Sequence, residues 1–171
     1  MRVTRAYRAR AGLAAFLAVY AIIIARPILL VGTTGIGVWL LARQYVYVRN
    51  VDCIQSALDV TIAPARSRTM TDEAVPVTLT VEADEPVPIE TEVTGTAPVA
   101  ASFETDDRRT VRLPPGLRTG TTTYTVSCPV AGRHEFKRPQ VAVTDADGLF
   151  RTEFRIGNTA ELLTDPRTPQ N

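Results

Sequence analysis

The chain has 171 residues, and its 19 basic and 18 acidic side chains leave a formal net charge of +1. This balance, without any stretch that mixes clustered basic residues with aromatic ones, excludes a nucleic-acid surface. A single histidine, His134, and two cysteines, Cys53 and Cys128, exclude a metal centre built from several such residues, and we expect both thiols to be free. The length leaves room for one helical segment and one domain of about 110–120 residues.

An apolar run dominates the first third of the chain. It covers residues 11–42, and its only charge is Arg26. One helix over the whole run would be about 48 Å long, which is too long for one crossing of a bilayer core about 30 Å thick. Pro27 disfavours helix at Arg26 and lacks an amide proton, so we expect the chain to turn at these two residues. The run therefore predicts a two-helix transmembrane hairpin, at about 4–25 and 27–45, with the lipid bilayer as its partner.

Two other interpretations of this run are open. The four arginines of the first ten residues and the apolar stretch 12–25 could form a secretory signal that is cleaved after Ala25. The helices could also be a buried hairpin of a soluble protein, although no other part of the chain is apolar enough to cover them. Under the hairpin interpretation, arginines flank the run at both ends. We then expect a multi-pass protein of the cell membrane with its soluble domain in the cytoplasm.

The composition changes after the hairpin. Threonine and valine dominate, apolar and polar residues alternate, and proline or glycine recurs about every ten residues, which is typical of an immunoglobulin-like antiparallel β-sandwich. The predicted fold is mainly β with a membrane segment. We assign residues 1–45 to the basic head and hairpin, 46–57 to a juxtamembrane linker, 58–165 to the sandwich and 166–171 to a tail. Strands are expected at 58–62, 75–81, 89–93, 100–103, 110–113, 121–130, 133–137, 139–143, 150–156 and 159–163, with a polar turn region at 66–73. The alternation predicts a core of eleven side chains, with Leu149 closing its end under the Asp147-Gly148 turn: Val77, Leu79, Val81, Leu113, Tyr124, Val126, Val141, Val143, Leu149, Phe150 and Phe154.

The run Asp145–Gly148 offers alternating carboxylates, which are ligands that calcium prefers. Leu149 and Phe150 stand where further ligands would be needed, so we favour a turn between strands with Gly148 at a positive φ. The sequence contains no glycine-rich phosphate loop and no nucleophile elbow. It therefore indicates no enzyme, and we assign no catalytic residue, metal or cofactor.

Residues 128–150, CPVAGRHEFKRPQVAVTDADGLF, resemble the conserved core of the membrane-associated family called domain of unknown function 58. In that family a tyrosine-bearing strand leads to a glycine turn, a further strand and an Asp-x-x-Gly-Leu-Phe turn. The matching residues here are Tyr124, Gly132, Val141–Val143, Asp145, Asp147, Gly148, Leu149 and Phe150. The chain departs from the family at Ala131, where arginine is frequent, and at Ala146, where proline is. The hairpin with its Arg26-Pro27 turn also resembles the archaeal branch of the family.

Members of the family usually continue into a second half that resembles a von Willebrand factor A domain, which would begin about where this sequence ends, after Asp165. The resemblance implies an accessory role beside MoxR-type AAA ATPases, in complex assembly or envelope maintenance. The expected function is that of a membrane-anchored, non-catalytic protein-interaction module, with a MoxR-type ATPase or a von Willebrand factor A-like protein as partner. A surface-displayed adhesin-like or structural envelope domain is the alternative.

Overall fold

A computed structural model describes the backbone of residues 2–3, 5–24, 27–103 and 109–167, and within these ranges the side chains from residue 10 onward apart from 21–30. Two helices, α1 (Arg5–Ile24) and α2 (Pro27–Ala57), make up most of the first third. The strands are β1 (Arg2–Val3), β2 (Leu58–Pro64), β3 (Arg68–Met70), β4 (Ala74–Ala83), β5 (Glu90–Thr94), β6 (Ser102–Phe103), β7 (Thr110–Leu113), β8 (Thr119–Ser127), β9 (Gly132–Phe136), β10 (Gln140–Thr144), β11 (Phe150–Arg155) and β12 (Ala160–Asp165).

These strands form a β-sandwich, as the alternating pattern predicts. One sheet has the order β1-β11-β10-β5-β7, a second the order β2-β4-β8-β6, and a smaller third the order β3-β12-β9. The described pairs are antiparallel apart from β3 and β12, which run parallel. The polar region 66–73 was expected to be a turn region, but it contains β3. The sandwich was expected to be antiparallel, but its β3–β12 pair is parallel.

The core between the sheets is the one that the alternation predicts. Ten of the eleven expected core side chains are at most 1% exposed: Val77, Leu79, Val81, Leu113, Tyr124, Val126, Val141, Val143, Leu149 and Phe150. Phe154, the eleventh, is half-buried and packs against this core. Gly95 lies where a Cβ atom would be 2.6 Å from the Tyr124 ring, so the absence of a side chain there lets the ring pack.

The predicted hairpin needs a correction. Its two helices are present, and they run antiparallel, because the Arg10 guanidinium of α1 lies 5.8 Å from the centre of the Trp39 ring of α2. Among the residues that the structure describes, however, no helix is long and apolar enough to cross a membrane, so the transmembrane assignment is wrong. The apolar stretches 11–24 and 28–42 are each shorter than the roughly 20 residues that a crossing needs. The Arg26 turn lies outside the described residues, while Pro27 begins α2.

Residues 46–57, expected to be a linker, are the last turns of α2. Leu40, Tyr47, Val51 and Ile54 recur at the 3.6-residue period of a helix and are all buried. The chain then enters β2 directly at Leu58. The carboxyl-terminal half of α2 is therefore part of the sandwich core, and no flexible segment separates the helices from the sheets.

Candidate functional site

The turn between β10 and β11 holds α2 against the sandwich. Within this turn the amide of Gly148 donates to the Asp145 carbonyl at 2.8 Å, and the amide of Asp145 donates to the Phe150 carbonyl at 3.1 Å. Gly148 has a φ of 62°, which confirms the predicted positive φ. The turn that resembles the family motif presents two carboxylates and the Phe150 ring to the helix.

Arg43 of α2 occupies the carboxylates of this turn. Its Nη2 donates to Asp145 Oδ2 at 3.1 Å and also to Asp147 Oδ2. The guanidinium lies 5.9 Å from the centre of the Trp39 ring, within reach of a cation–π interaction. The carboxylate oxygens that the sequence suggested as calcium ligands therefore bind the Arg43 guanidinium instead. Charge-assisted hydrogen bonds fix the orientation of this guanidinium.

Tyr47, one turn further along α2, is 1% exposed and fills the space behind the same turn. Its hydroxyl donates to the Val143 carbonyl at 3.0 Å and lies 2.9 Å from Thr152 Oγ1. Its ring packs on Phe150 with centroids 5.3 Å apart and an interplanar angle of 27°. Burial raises the pKa of the Tyr47 hydroxyl. We call the set Arg43, Tyr47, Asp145, Asp147 and Phe150 the helix socket.

The structure separates Gly132 from the other motif residues. Gly132 begins β9 in the three-stranded sheet, whereas Asp145 and Phe150 flank the turn between two strands of the five-stranded sheet. Gly132 has a φ of 145°, and a Cβ atom there would meet nothing within 4 Å. Its role is therefore one of backbone conformation at the start of a strand and not of contact with the helix socket.

The outer side of the three-stranded sheet exposes two large apolar residues. Met70 of β3 is 55% exposed and Leu163 of β12 is 41% exposed. The register places Leu163 between Arg68 of β3 and Arg133 of β9, and places Met70 opposite Asp165. These residues lie on one face of the sheet, because side chains two positions apart on a strand point the same way.

Two ion pairs frame this apolar centre. Arg68 Nη2 donates to Asp165 Oδ1 at 3.1 Å, and Arg133 Nε donates to Glu161 Oε2 at 2.9 Å. The bond from Arg68 lowers the pKa of Asp165. A groove of about 380 Å³ opens beside Leu163 and is lined by Ser67, Arg133, Glu161 and Leu163. We call the surface formed by Arg68, Met70, Arg133, Glu161, Leu163 and Asp165 the β12 face.

The described residues contain few groups that could hold a metal or carry a reactive proton. Among them, no group of three or more His, Cys, Asp or Glu side chains could hold a metal ion. The single histidine, His134, is buried with Nε2 2.7 Å from the Val130 carbonyl oxygen, and burial raises the pKa of the Cys128 thiol. Sequence analysis did not identify Arg43, Tyr47 and Leu163 as site residues. The helical spacing of apolar residues after Leu40 is a signal that could have identified Tyr47.

No protein-family profile and no curated protein sequence matches this chain. Among solved structures it is similar to the cupredoxin domain of amoB from Nitrosocaldus yellowstonii, at 9% identity and a TM-score of 0.45, over 67% of this chain and 92% of that one. It is also similar to a non-cellulosomal cohesin from the archaeon Archaeoglobus fulgidus, at 9% identity and a TM-score of 0.37, over 63% and 91%. The bacterial hydrophobin BslA is similar at 13% identity and 0.37, over 64% and 100%. At these scores the likeness carries no inference about function.

Proposed function

We propose that this protein is a non-catalytic interaction module whose docking surface is the β12 face. The proposed partner is a von Willebrand factor A-like protein that acts with a MoxR-type ATPase. One observation carries the proposal: Leu163 and Met70 are exposed at diagonal positions of neighbouring strands, in a sheet whose other outward side chains on β3, β9 and β12 are charged. An apolar centre inside a polar rim is the usual anatomy of a protein–protein interface.

The rim of the β12 face is suited to a partner with charges of both signs. Arg68 and Arg133 lie on opposite sides of the apolar centre, and each of them already forms an ion pair with a carboxylate of β12. Exposed pairs of this kind contribute little to stability, so a partner can compete for them at low cost. Such rim charges set the orientation and the rate of association more than the affinity. We therefore assign the affinity to the Leu163 contact.

The choice of partner rests on the family resemblance and on the position of β12. In the family that the chain resembles, the von Willebrand-like half follows the last strand of the sandwich. Here β12 is the last strand of the described residues, and it forms the middle of the three-stranded sheet whose outer side is the β12 face. A von Willebrand-like protein supplied by another chain would dock beside the end of that strand. The MoxR-type ATPase is part of the proposal because the family that the chain resembles acts beside such ATPases.

The proposal is tested with the purified full-length chain and the von Willebrand factor A-like protein encoded nearest to its gene, by titration calorimetry. Leu163→Asp places a charge in the centre of the β12 face and should weaken binding at least tenfold. Leu117→Asp is the matched control, because Leu117 is 48% exposed and lies in the loop between β7 and β8. We expect the control to bind like the wild type.

Three results would contradict the proposal. Equal loss of affinity in both variants would indicate a general effect of the added charge. Unchanged binding by Leu163→Asp would place the interface elsewhere. Absence of binding to both the von Willebrand-like protein and the MoxR-type ATPase at about 100 μM would reject the partner class. Circular dichroism of each variant excludes misfolding as the cause of a loss.

A further inference from the structure

Exposed residues follow one side of α2 with a seven-residue repeat. We call this set the α2 stripe, and it consists of Val31, Val38 and Tyr45, seven residues apart, and of Thr34, Leu41 and Val48, each three residues further on. All six are exposed, Val31, Leu41 and Tyr45 by 67–72%. In heptad terms they are successive a and d positions, the seam along which two helices join in a coiled coil.

The α2 stripe is not the side of the helix that contacts the sandwich. The buried residues Leu40, Tyr47 and Ile54 are also seven residues apart, and Tyr47 anchors the helix socket. At 100° per residue, Tyr47 lies about 100° around the helix from Val48 and farther from Tyr45. The stripe therefore remains open when α2 is docked.

The α2 stripe presents enough apolar surface for a small dimer interface. On the two helices, eleven large apolar side chains of the described residues are 40–72% exposed, and five of them belong to the stripe. At about 100 Å² each these five present about 500 Å², which is the size of the largest and often functional patch of a monomer, roughly 300–600 Å². Two copies of the stripe would together bury about 1,000 Å², which is the lower bound for a specific interface.

The residue types in the stripe favour a particular partner and orientation. Two of the three a positions are β-branched (Val31 and Val38), and the central d position is a leucine, Leu41. At the centre of the seam this is the combination that favours two parallel strands. The flanking residues Gly35 and Ala42 are small and exposed, so a second helix can approach closely. We infer that the α2 stripe pairs with the α2 stripe of a second copy of this chain, as a parallel two-stranded coiled coil with twofold symmetry.

The polar residues around the stripe agree with this register. In a parallel pair, a g position faces the e position five residues later on the partner helix. Gln44 and Arg49 occupy such positions, so the amide oxygen of one copy can accept from the guanidinium of the other. Asp52 stands at the next a position, where two carboxylates would meet and repel. The seam therefore ends before Asp52.

Docking on the sandwich favours this pairing. An isolated helix of this length loses conformational entropy when it becomes ordered on association. In this chain α2 is already ordered, because Arg43 and Tyr47 hold it in the helix socket. The coiled coil uses a surface separate from the β12 face, so it goes beyond the proposed function. Either proposal can fail without the other.

Disulfide trapping tests the pairing in the full-length chain. Cys53 is exposed and is first replaced by serine, while Cys128 is buried and stays. Val48→Cys then places a thiol at a d position of the seam, and Val46→Cys, on the same helix and 53% exposed, places one outside it. We expect oxidation to link Val48→Cys into a covalent dimer and to leave Val46→Cys unlinked. Equal linking at both positions, or linking at Val46 alone, would overturn the inference.

Sedimentation equilibrium measures the same association without a cross-link. The wild-type chain should have twice its chain mass of 18.6 kDa at about 10 μM. Val48→Lys should raise the dissociation constant at least tenfold, whereas Val46→Lys should change it by less than about twofold. A monomer at that concentration, an assembly larger than a dimer, or equal effects of the two lysines would overturn the inference. Circular dichroism of each variant verifies that α2 is still folded.

Discussion

Tyr47 is the side chain whose removal should most clearly separate the helices from the sandwich. Its hydroxyl bonds the Val143 carbonyl at 3.0 Å and lies 2.9 Å from Thr152 Oγ1, in a place where the residue is 1% exposed. Tyr47→Phe keeps the ring on Phe150 and leaves the buried Val143 carbonyl and the partly buried Thr152 hydroxyl without this partner. A buried group that loses its partner costs about 1–3 kcal/mol, so we expect a loss of about 2 kcal/mol in the free energy of unfolding.

Tyr47→Ala removes the ring as well. Truncation of a buried aromatic residue typically costs about 3–5 kcal/mol. The loss should fall mainly on α2, because Tyr47 joins this helix to β10 and β11. In this variant the helix should separate from the sandwich at a denaturant concentration at which the sheets remain folded.

Urea unfolding followed by two signals distinguishes these outcomes. Trp39, the only tryptophan, reports on α2 by its fluorescence, and hydrogen–deuterium exchange of peptides that cover β4 and β8, read by mass spectrometry at each urea concentration, reports on the sheets. In the wild type the two transitions should coincide, as in a two-state protein. In Tyr47→Ala the fluorescence transition should move to lower urea than the sheet transition.

Tyr45→Phe is the matched control for the hydroxyl. Tyr45 lies two residues away on the same helix and is 70% exposed, so its change should stay within about 0.5 kcal/mol. All variants are compared at one protein concentration, because self-association would add to stability by mass action. If Tyr47→Phe and Tyr45→Phe have equal stabilities, Tyr47 does not dock α2 and the helix socket is wrong.

Three further predictions concern the sandwich. Burial raises the pKa of Tyr124 from 10.0 to about 12, so this tyrosine ionises at lower pH in the unfolded chain than in the folded one. The stability that comes from the neutral buried hydroxyl is therefore complete below pH 10 and is lost as the pH rises toward 12. Between about pH 9.5 and 11.5 the wild type should lose about 2 kcal/mol more than Tyr124→Phe in urea titrations. Gly157→Ala should lower the free energy of unfolding by more than about 3 kcal/mol, since its φ is 108° and its Cβ atom would lie 2.3 Å from the Val60 carbonyl oxygen. The control Gly116→Ala, with a φ of 93° and open space around the Cβ atom, should lower it by about 1–2 kcal/mol. Thermal melting measures both changes. Val126→Ala should cost about 2–4 kcal/mol by urea midpoint, because Val126 is fully buried, and a change near 0.5 kcal/mol would mean that its face of β8 is misassigned.

Arg43 illustrates a contact that sequence reasoning could not predict. The arginine and the two carboxylates that it bonds are more than 100 residues apart in the chain. Alternating carboxylates before a glycine suit a metal, a turn or an ion pair equally well, and only the position of the approaching helix decides among them. Sequence analysis identified the turn and the positive φ of Gly148, and the fold then supplied Arg43 as the cation.

The segment 46–57 depends on a different kind of pattern. It was expected to be a linker whose first part could continue the second helix, and α2 continues through all of it to Ala57. A short alternation, in which Val46 and Val48 flank Tyr47, favours an extended chain, while a longer period that runs from Leu40 to Ile54 favours a helix. The longer period prevails because its members are buried together against the sandwich. The two valines of the short alternation remain exposed.

Sequence alone determined the β-sandwich, its core and its principal turns, because period-two alternation and glycine or proline breaks are local and each strand repeats them. It also determined that a helical pair precedes the sandwich, since Pro27 divides one long apolar run. Only the tertiary structure decided what those helices do. An apolar stretch has no intrinsic partner, and whether it meets a bilayer, a sheet or another helix depends on surfaces brought together from distant parts of the chain. Here Tyr47 meets Phe150 across more than 100 residues, and that contact makes the end of α2 part of the sandwich.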